Sequence, residues 1–300
     1  MTAPSSNRTV GVFLVLLSGA SFGALGIFAR VAYEAGTNTP TVLFLRFSSA
    51  GLVLGAVMLA RRVPLPRGRV LGGLVLLGAL GYVGQSLAYF SALKHASAGL
   101  TALLLYLFPA LVTLLSVVVD GERLTRVRAV AVVLALGGTA MTIDLNGGAS
   151  PKGIVFGVLA ALVYAVYVFT SARVVGPAGP LAASTVILGS AGGVYGGLML
   201  AQGPAFPQTS AGWLAVGALS LLSTVVAVLT FFEGLKRVGP VVTSLLSTTE
   251  PLGAVLLGAL VLGERLSPRQ GVGGLLILAA VLLLARPERP VARTLPKGTG

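Results

Sequence analysis

Glu250 is an acid placed deep in an apolar run. It stands about ten residues into the stretch Pro240–Leu262, roughly 15 Å at the 1.5 Å rise of an α-helix, beyond reach of either surface of a bilayer. An ionisable group at such depth is a functional candidate, able to receive a substrate ammonium or to carry a proton. The structural alternative is a carboxyl bonded to Thr248, Thr249 or a neighbouring helix. Pro251 follows it, and Pro109 holds the matching place in the run Ala98–Val119. Each proline lacks an N–H, so the carbonyls of Leu105 and Ser247 lose their helical donor. A bare carbonyl in hydrocarbon is costly unless protein, water or ligand satisfies it. Two symmetric ones suggest a polar region near the midplane and a pair of hinges; a plain kink satisfied by nearby Ser or Thr is the simpler reading.

Hydroxyl-bearing rings gather at the same depth. Tyr82, Gln85 and Tyr89 fall at i, i+3 and i+7, one helix face, with Ser86 beside them, and Tyr164, Tyr167 and Ser171 repeat the spacing. Tyr82 and Tyr164 are mid-span, where an interfacial aromatic belt does not account for them. Tyr106 and Phe108 flank the Pro109 position, and Phe22 and Thr224 lie at depths that match Tyr164 and Tyr82. Phe22, Tyr82, Gln85, Tyr89, Tyr106, Tyr164, Tyr167, Thr224, Ser247, Thr248 and Glu250 are therefore the candidate substrate contacts, and Pro109 and Pro251 the candidate hinges. Aromatic faces with sparse donors suit medium-sized amphipathic solutes, although any one ring can also be simple packing. Arg46 is about five residues inside its run, close enough to snorkel to the surface, which favours a structural role.

Other chemistries lack their residues. The chain has no cysteine and a single histidine, His95, in a loop after an apolar run. No thiolate, metal set or catalytic triad can be assembled, and no cofactor is expected. An intramembrane enzyme is thus a poor alternative.

The elements that hold these groups are set by composition. Of 300 residues, 55% are hydrophobic and 10% charged, with a mean hydropathy of +0.96, far from the ~25% charge of soluble domains. A bilayer crossing takes about 20 apolar residues. Ten such runs follow: Val10–Ala32, Thr41–Ala60, Val70–Leu93, Ala98–Val119, Val127–Ile143, Gly153–Ala172, Leu181–Ala201, Ala211–Leu235, Pro240–Leu262 and Gly271–Ala285. The first is too long for a signal peptide and reads as a retained span. With the N-terminus cytoplasmic, 15 Lys and Arg fall on the inner side and five on the outer (Arg30, Lys94, Lys152, Arg265, Arg269), leaving Arg46 within a span. That asymmetry is the positive-inside pattern, and it explains the net charge of +13 without nucleic acid. The 41 glycines, among them Gly19/Gly23, Gly51/Gly55 and the ladder Gly189, Gly192, Gly193, Gly196 and Gly197, fit close packing of membrane helices.

The chain also repeats itself. A shift of 142 residues carries Phe90 to Phe232, Leu93-Lys94 to Leu235-Lys236, Pro109 to Pro251 and Gly121-Glu122-Arg123-Leu124 to Gly263-Glu264-Arg265-Leu266, with 14 identities over the 35 positions from Phe90 to Leu124. Five spans per repeat force the second half to enter the membrane from the opposite side. The fold class is therefore all-α: a polytopic membrane protein of ten transmembrane helices in two inverted five-helix repeats, a frequent plan of secondary transporters with the site at the repeat interface. The domain reading is an N-terminal segment 1–9, repeats 10–143 and 153–285, a linker 144–152 and a tail 286–300.

The two Gly-Glu-Arg-Leu turns, the Glu250-Pro251 pair, Arg46-Phe47 and the duplicated five-helix unit together resemble the drug/metabolite transporter superfamily in its ten-helix EamA form, over roughly residues 10–285. That resemblance implies a metabolite exporter of the bacterial inner membrane, with aromatic or other bulky neutral amino acids as cargo. Other cargo of such carriers, a nucleotide sugar or a cationic drug, is the alternative. The expected partners are a small-molecule substrate and membrane lipids, both termini are expected in the cytoplasm, and the oligomeric state is open, with a monomer plausible.

Overall fold

The computed structural model describes residues 5–121, 124–142, 150–174, 178–247, 249–265 and 267–284. Thr248, Glu122, Arg123, Leu266, most of the 144–152 linker and the 286–300 tail lie outside the described residues. The first repeat is built from α1 (Ser5–Gly23) and α2 (Leu25–Glu34), α3 (Thr39–Ala60), α4 (Gly68–Leu76) and α5 (Val83–Ala92) joined by a π-helical turn, α6 (Ala98–Leu105) and α7 (Phe108–Asp120), and α8 (Arg126–Thr142). The second comprises α9 (Pro151–Val174), α10 (Pro180–Gln202), α11 (Ser210–Ser220) and α12 (Ala227–Ser247) joined by a second π turn, α13 (Thr249–Leu262) and α14 (Pro268–Leu284). Seven of the described spans are long and apolar enough to cross a membrane; Glu250–Leu262 and Pro268–Leu283 are shorter apolar helices. Local chemistry marks the ends. Side chains of Asn38, Ser97 and Thr209 accept the backbone N–H of Thr41, Leu100 and Gly212 at 3.0, 3.1 and 3.1 Å, capping donors that a helix start leaves open. Gly121, at φ +67°, ends α7 in the left-handed region.

The repeats meet about a pseudo-two-fold axis. Helix α3 packs on its twin α10 and α8 on its twin α14, while α1 packs on α12 just as their twins α9 and α5 pack on each other. The α3–α10 seam runs antiparallel: Gly51 lies against Gly189, Ser48 against Gly192 and Phe44 against Gly196. Its midpoint falls between Ser49 and Ala191, themselves twins under the 142-residue shift, as an axis lying across the helices requires. The glycine ladder is thus split. Gly192 and Gly196 face α3, whereas a Cβ at Gly189, Gly193 or Gly197 would meet nothing within 4 Å. At one end of the bundle, the Glu264 carboxylate accepts the N–H groups of Ala98 and Gly99 at 2.8 and 3.2 Å and lies 3.5 Å from Arg30, joining the second repeat to the first turn of α6.

Two details differ from the sequence reading. The chain does reverse near Arg237: Gly234 lies against Val15, Arg237 and Val238 against Gly11, yet Glu250 and Ala254 against Gly23. The element α12 (Ala227–Ser247) takes in residues on both sides of that reversal, the end of the eighth run and the start of the ninth. Pro109, expected inside a kinked helix, instead occupies the first turn of α7, after a break at Tyr106 and Leu107. Its fixed φ and missing N–H fit a helix start better than a helix middle.

A Cβ at Gly78 would collide with the Ile187 carbonyl oxygen and Ser190 Oγ of α10. Gly78→Ala is expected to destabilise the protein by ~1–3 kcal/mol, as overpacked sites do, while Gly197→Ala, at an open position, changes little. Thermal unfolding of both variants in detergent checks this.

Candidate substrate-binding site

Each repeat interrupts one span with a π turn, Leu77–Tyr82 in the first and Leu221–Val226 in the second, at nearly twin positions. Such turns widen the helix and offset its carbonyls, and they recur at functional sites. Hydroxyls bond around both. Tyr195 donates to the Val83 carbonyl at 2.8 Å, and Ser86 donates to the Tyr82 carbonyl at 2.6 Å while lying 2.9 Å from the Tyr195 hydroxyl. Thr224 donates to the Leu219 carbonyl at 2.9 Å.

Thr224 also accepts Nε–H of Arg46 at 2.9 Å. Arg46 therefore does not snorkel: it turns inward from α3, only 3% exposed, and its guanidinium lies over the rings of Phe47 and Phe90 at 4.8 and 5.6 Å. From Phe47 a run of rings continues. Phe47 meets Tyr82 at 5.1 Å between centroids, Tyr82 meets Tyr167 at 5.5 Å, Tyr167 meets Tyr164 at 5.9 Å, Tyr164 meets Phe108 at 4.7 Å and Phe108 meets Tyr106 at 5.9 Å. Tyr195 stacks on Phe47 from α10 at 5.7 Å. These separations are those of offset-stacked and edge-to-face pairs, and the rings come from α3, the first π turn, α9 and the α6–α7 break.

The run ends at Glu250. The Tyr106 hydroxyl lies 2.9 Å from Glu250 Oε2 and 3.0 Å from the Ser247 carbonyl oxygen. The carbonyl that Pro251 leaves without a helical donor is thus met by a side chain of the opposite repeat. Glu250 itself sits in the first turn of α13.

Most of the expected contacts converge here. Tyr82, Tyr106, Tyr164, Tyr167, Thr224 and Glu250 share the connected array, with Ser247 contributing its backbone. Tyr89 and Gln85 are buried on α5, 8% and 7% exposed, and neither side chain has a hydrogen bond to protein among the described residues. Phe22 is half-buried in α1 and stacks on no described ring; Thr248 lies outside the described residues. Sequence reasoning missed Tyr195 and Phe47 and misplaced Arg46. Their signal was available, since Arg46-Phe47 interrupts an apolar span and Tyr195 is the lone ring in the glycine ladder.

The EamA-like transporter family model matches residues 9–143 and again 151–286. The chain belongs to the EamA-like transporter family. It is a multi-pass membrane transporter and not an enzyme. Relatives include a transporter of Archaeoglobus fulgidus, 30% identical over 92% of this chain and 96% of its own length, and the inner membrane transporter YedA of Escherichia coli K12, 29% identical over 82% and 83%. The aromatic amino acid exporter YddG of Ancylobacter novellus is 28% identical over 71% of this chain and 76% of its own length. A crystal structure with a TM-score of 0.64, at 24% identity over 94% of this chain and 96% of that one, shares the fold.

Tyr106→Phe removes one hydroxyl that serves both the Ser247 carbonyl and Glu250. Its expected cost is about 1–3 kcal/mol of stability, the penalty of leaving buried groups unmet. Thermal unfolding measures it, with Tyr89→Phe as the control: that hydroxyl has no such partner among the described residues, and the variant is expected to stay near the parent value.

Proposed function

We propose that the protein exports amino acids with aromatic or other bulky neutral side chains across a bacterial inner membrane, by alternating access about the ring-lined site. The observation that carries this reading is the run of rings from Phe47 to Tyr106. It draws on both repeats, so rocking one against the other opens and closes the same contacts, as in other inverted-repeat carriers. Flat faces at stacking distance favour an aromatic or bulky apolar side chain. The likeness to an aromatic amino acid exporter supports the same cargo.

The 15-to-five division of Lys and Arg supports cytoplasmic termini, and with this orientation the Glu264 clasp on α6 closes the outer end. Helices α7 and α13 each restart beside the site, so Pro109 and Pro251 are the places where each half bends. One chain supplies both halves of the site, which makes a monomer sufficient.

Purified protein in liposomes is expected to move radiolabelled phenylalanine, tyrosine and tryptophan faster than alanine or a nucleotide sugar. Tyr82→Ala and Tyr164→Ala are expected to lower that flux several-fold at unchanged protein levels, through lost stacking worth about 0.5–1.5 kcal/mol beyond area burial. Normal flux in both variants would overturn the ring-lined site.

A further inference from the structure

Duplication has copied an acid in this chain but not its seat. Glu264 belongs to the Gly-Glu-Arg-Leu turn of the second repeat, and its twin in the first is Glu122, which lies outside the described residues. The Glu264 carboxylate crosses to the first repeat, where it accepts the N–H groups of Ala98 and Gly99 and faces Arg30. Those two N–H groups are donors that the start of α6 leaves without a helical partner. Bonds of this kind, to an ionised acceptor, are roughly twice as strong as neutral ones. The backbone N–H of Glu264 donates to the Gly258 carbonyl at 3.0 Å, which folds the turn back on α13. Room for the carboxylate comes from a missing side chain: a Cβ at Gly258 would lie 2.6 Å from Glu264 Oε2 and 3.2 Å from its carboxyl carbon.

The 142-residue shift shows what the opposite end lacks. It relates Ala98 to Pro240, Gly99 to Val241 and Gly258 to Ser116, all within the stretch that aligns without a gap. Proline has no N–H to give, and serine brings the Cβ that Gly258 omits. The cation is matched, since Arg173 lies one place beyond the twin of Arg30. A carrier that alternates between two closures rests in the one with the better bonds.

We propose that the Glu264 clasp is a one-sided gate lock, made and broken in each cycle. Because the opposite end cannot form its equal, the resting carrier is closed at the Glu264 end and open at the other. This rests on the alternating-access reading above, and in the orientation given there the ring-lined site is offered first to the cytoplasm. Arg30 Nε is buried with no partner, so closure leaves one donor unmet and the lock stays reversible.

The chain has no cysteine, so single introduced cysteines report access. Val255→Cys places one on α13 against Gly99, just inside the clasp. A membrane-impermeant maleimide applied outside whole cells is expected to label it slowly in the otherwise unaltered chain. Labelling is expected to quicken about tenfold with Glu264→Gln, the scale of a lost charge-assisted hydrogen bond, and several-fold with Gly258→Ser, which copies the opposite end and leaves every charge in place. Ala191→Cys, buried in the α3–α10 seam, stays unlabelled in both backgrounds, which shows that the fold holds. An unchanged rate in both variants overturns the lock. A rise seen only with the reagent on the cytoplasmic side, in inside-out vesicles, keeps the lock and overturns the orientation, and the export reading with it.

Discussion

A backbone carbonyl without a donor, deep in a membrane span, is the constraint around which this protein is arranged. Pro251 creates one at Ser247, and hydrocarbon offers nothing to bond it. Tyr106, from the opposite repeat, meets it at 3.0 Å and reaches Glu250 in the same stroke at 2.9 Å. For Tyr106 to stand there, its own span must break, and Pro109 restarts the helix just beyond the break. The two interruptions are therefore coupled: the hydroxyl exposed by one serves the carbonyl exposed by the other. From Tyr106 the rings lead back to Phe47 and Arg46, so the polar groups of both repeats belong to one connected array.

Symmetry builds this array and departures from symmetry give it chemistry. The antiparallel α3–α10 seam and the paired π turns follow from duplication of one five-helix unit in opposite orientations. Where the halves differ, the residues matter. Arg46 stands opposite Leu188 in the repeat, Glu250 opposite Phe108, and Tyr82 opposite Thr224. One half carries the buried cation and the other the buried acid, so the two ends of the ring run differ in charge.

Much of the fold was legible because membrane helices write themselves in long apolar runs and because the repeat and the charge asymmetry are independent of those runs. Depth along a helix was legible too, which is why Tyr82, Tyr106, Tyr164, Tyr167 and Glu250 could be chosen without a structure. Rotation about the helix axis was less so. In a span that is apolar on every side, periodicity does not say which face meets protein, and Phe22, selected by depth, does not join the rings. Arg46 was misread for the same reason: its distance from the helix end allowed snorkelling, whereas its partner Thr224 lies far away in sequence. The π turns leave no mark in an apolar pattern, and Pro109 could be placed in a helix or at its start only once the break at Tyr106 was seen.

In the proposed function, substrate occupies the ring run from Phe47 to Tyr106. Photolabelling with 4-azidophenylalanine in membranes, followed by peptide mapping, tests it most directly. Adducts on the segments that hold Tyr82 and Tyr164–Tyr167, suppressed by excess phenylalanine, are the predicted result. Adducts confined to other helices, or adducts on these segments that phenylalanine does not suppress, would contradict it.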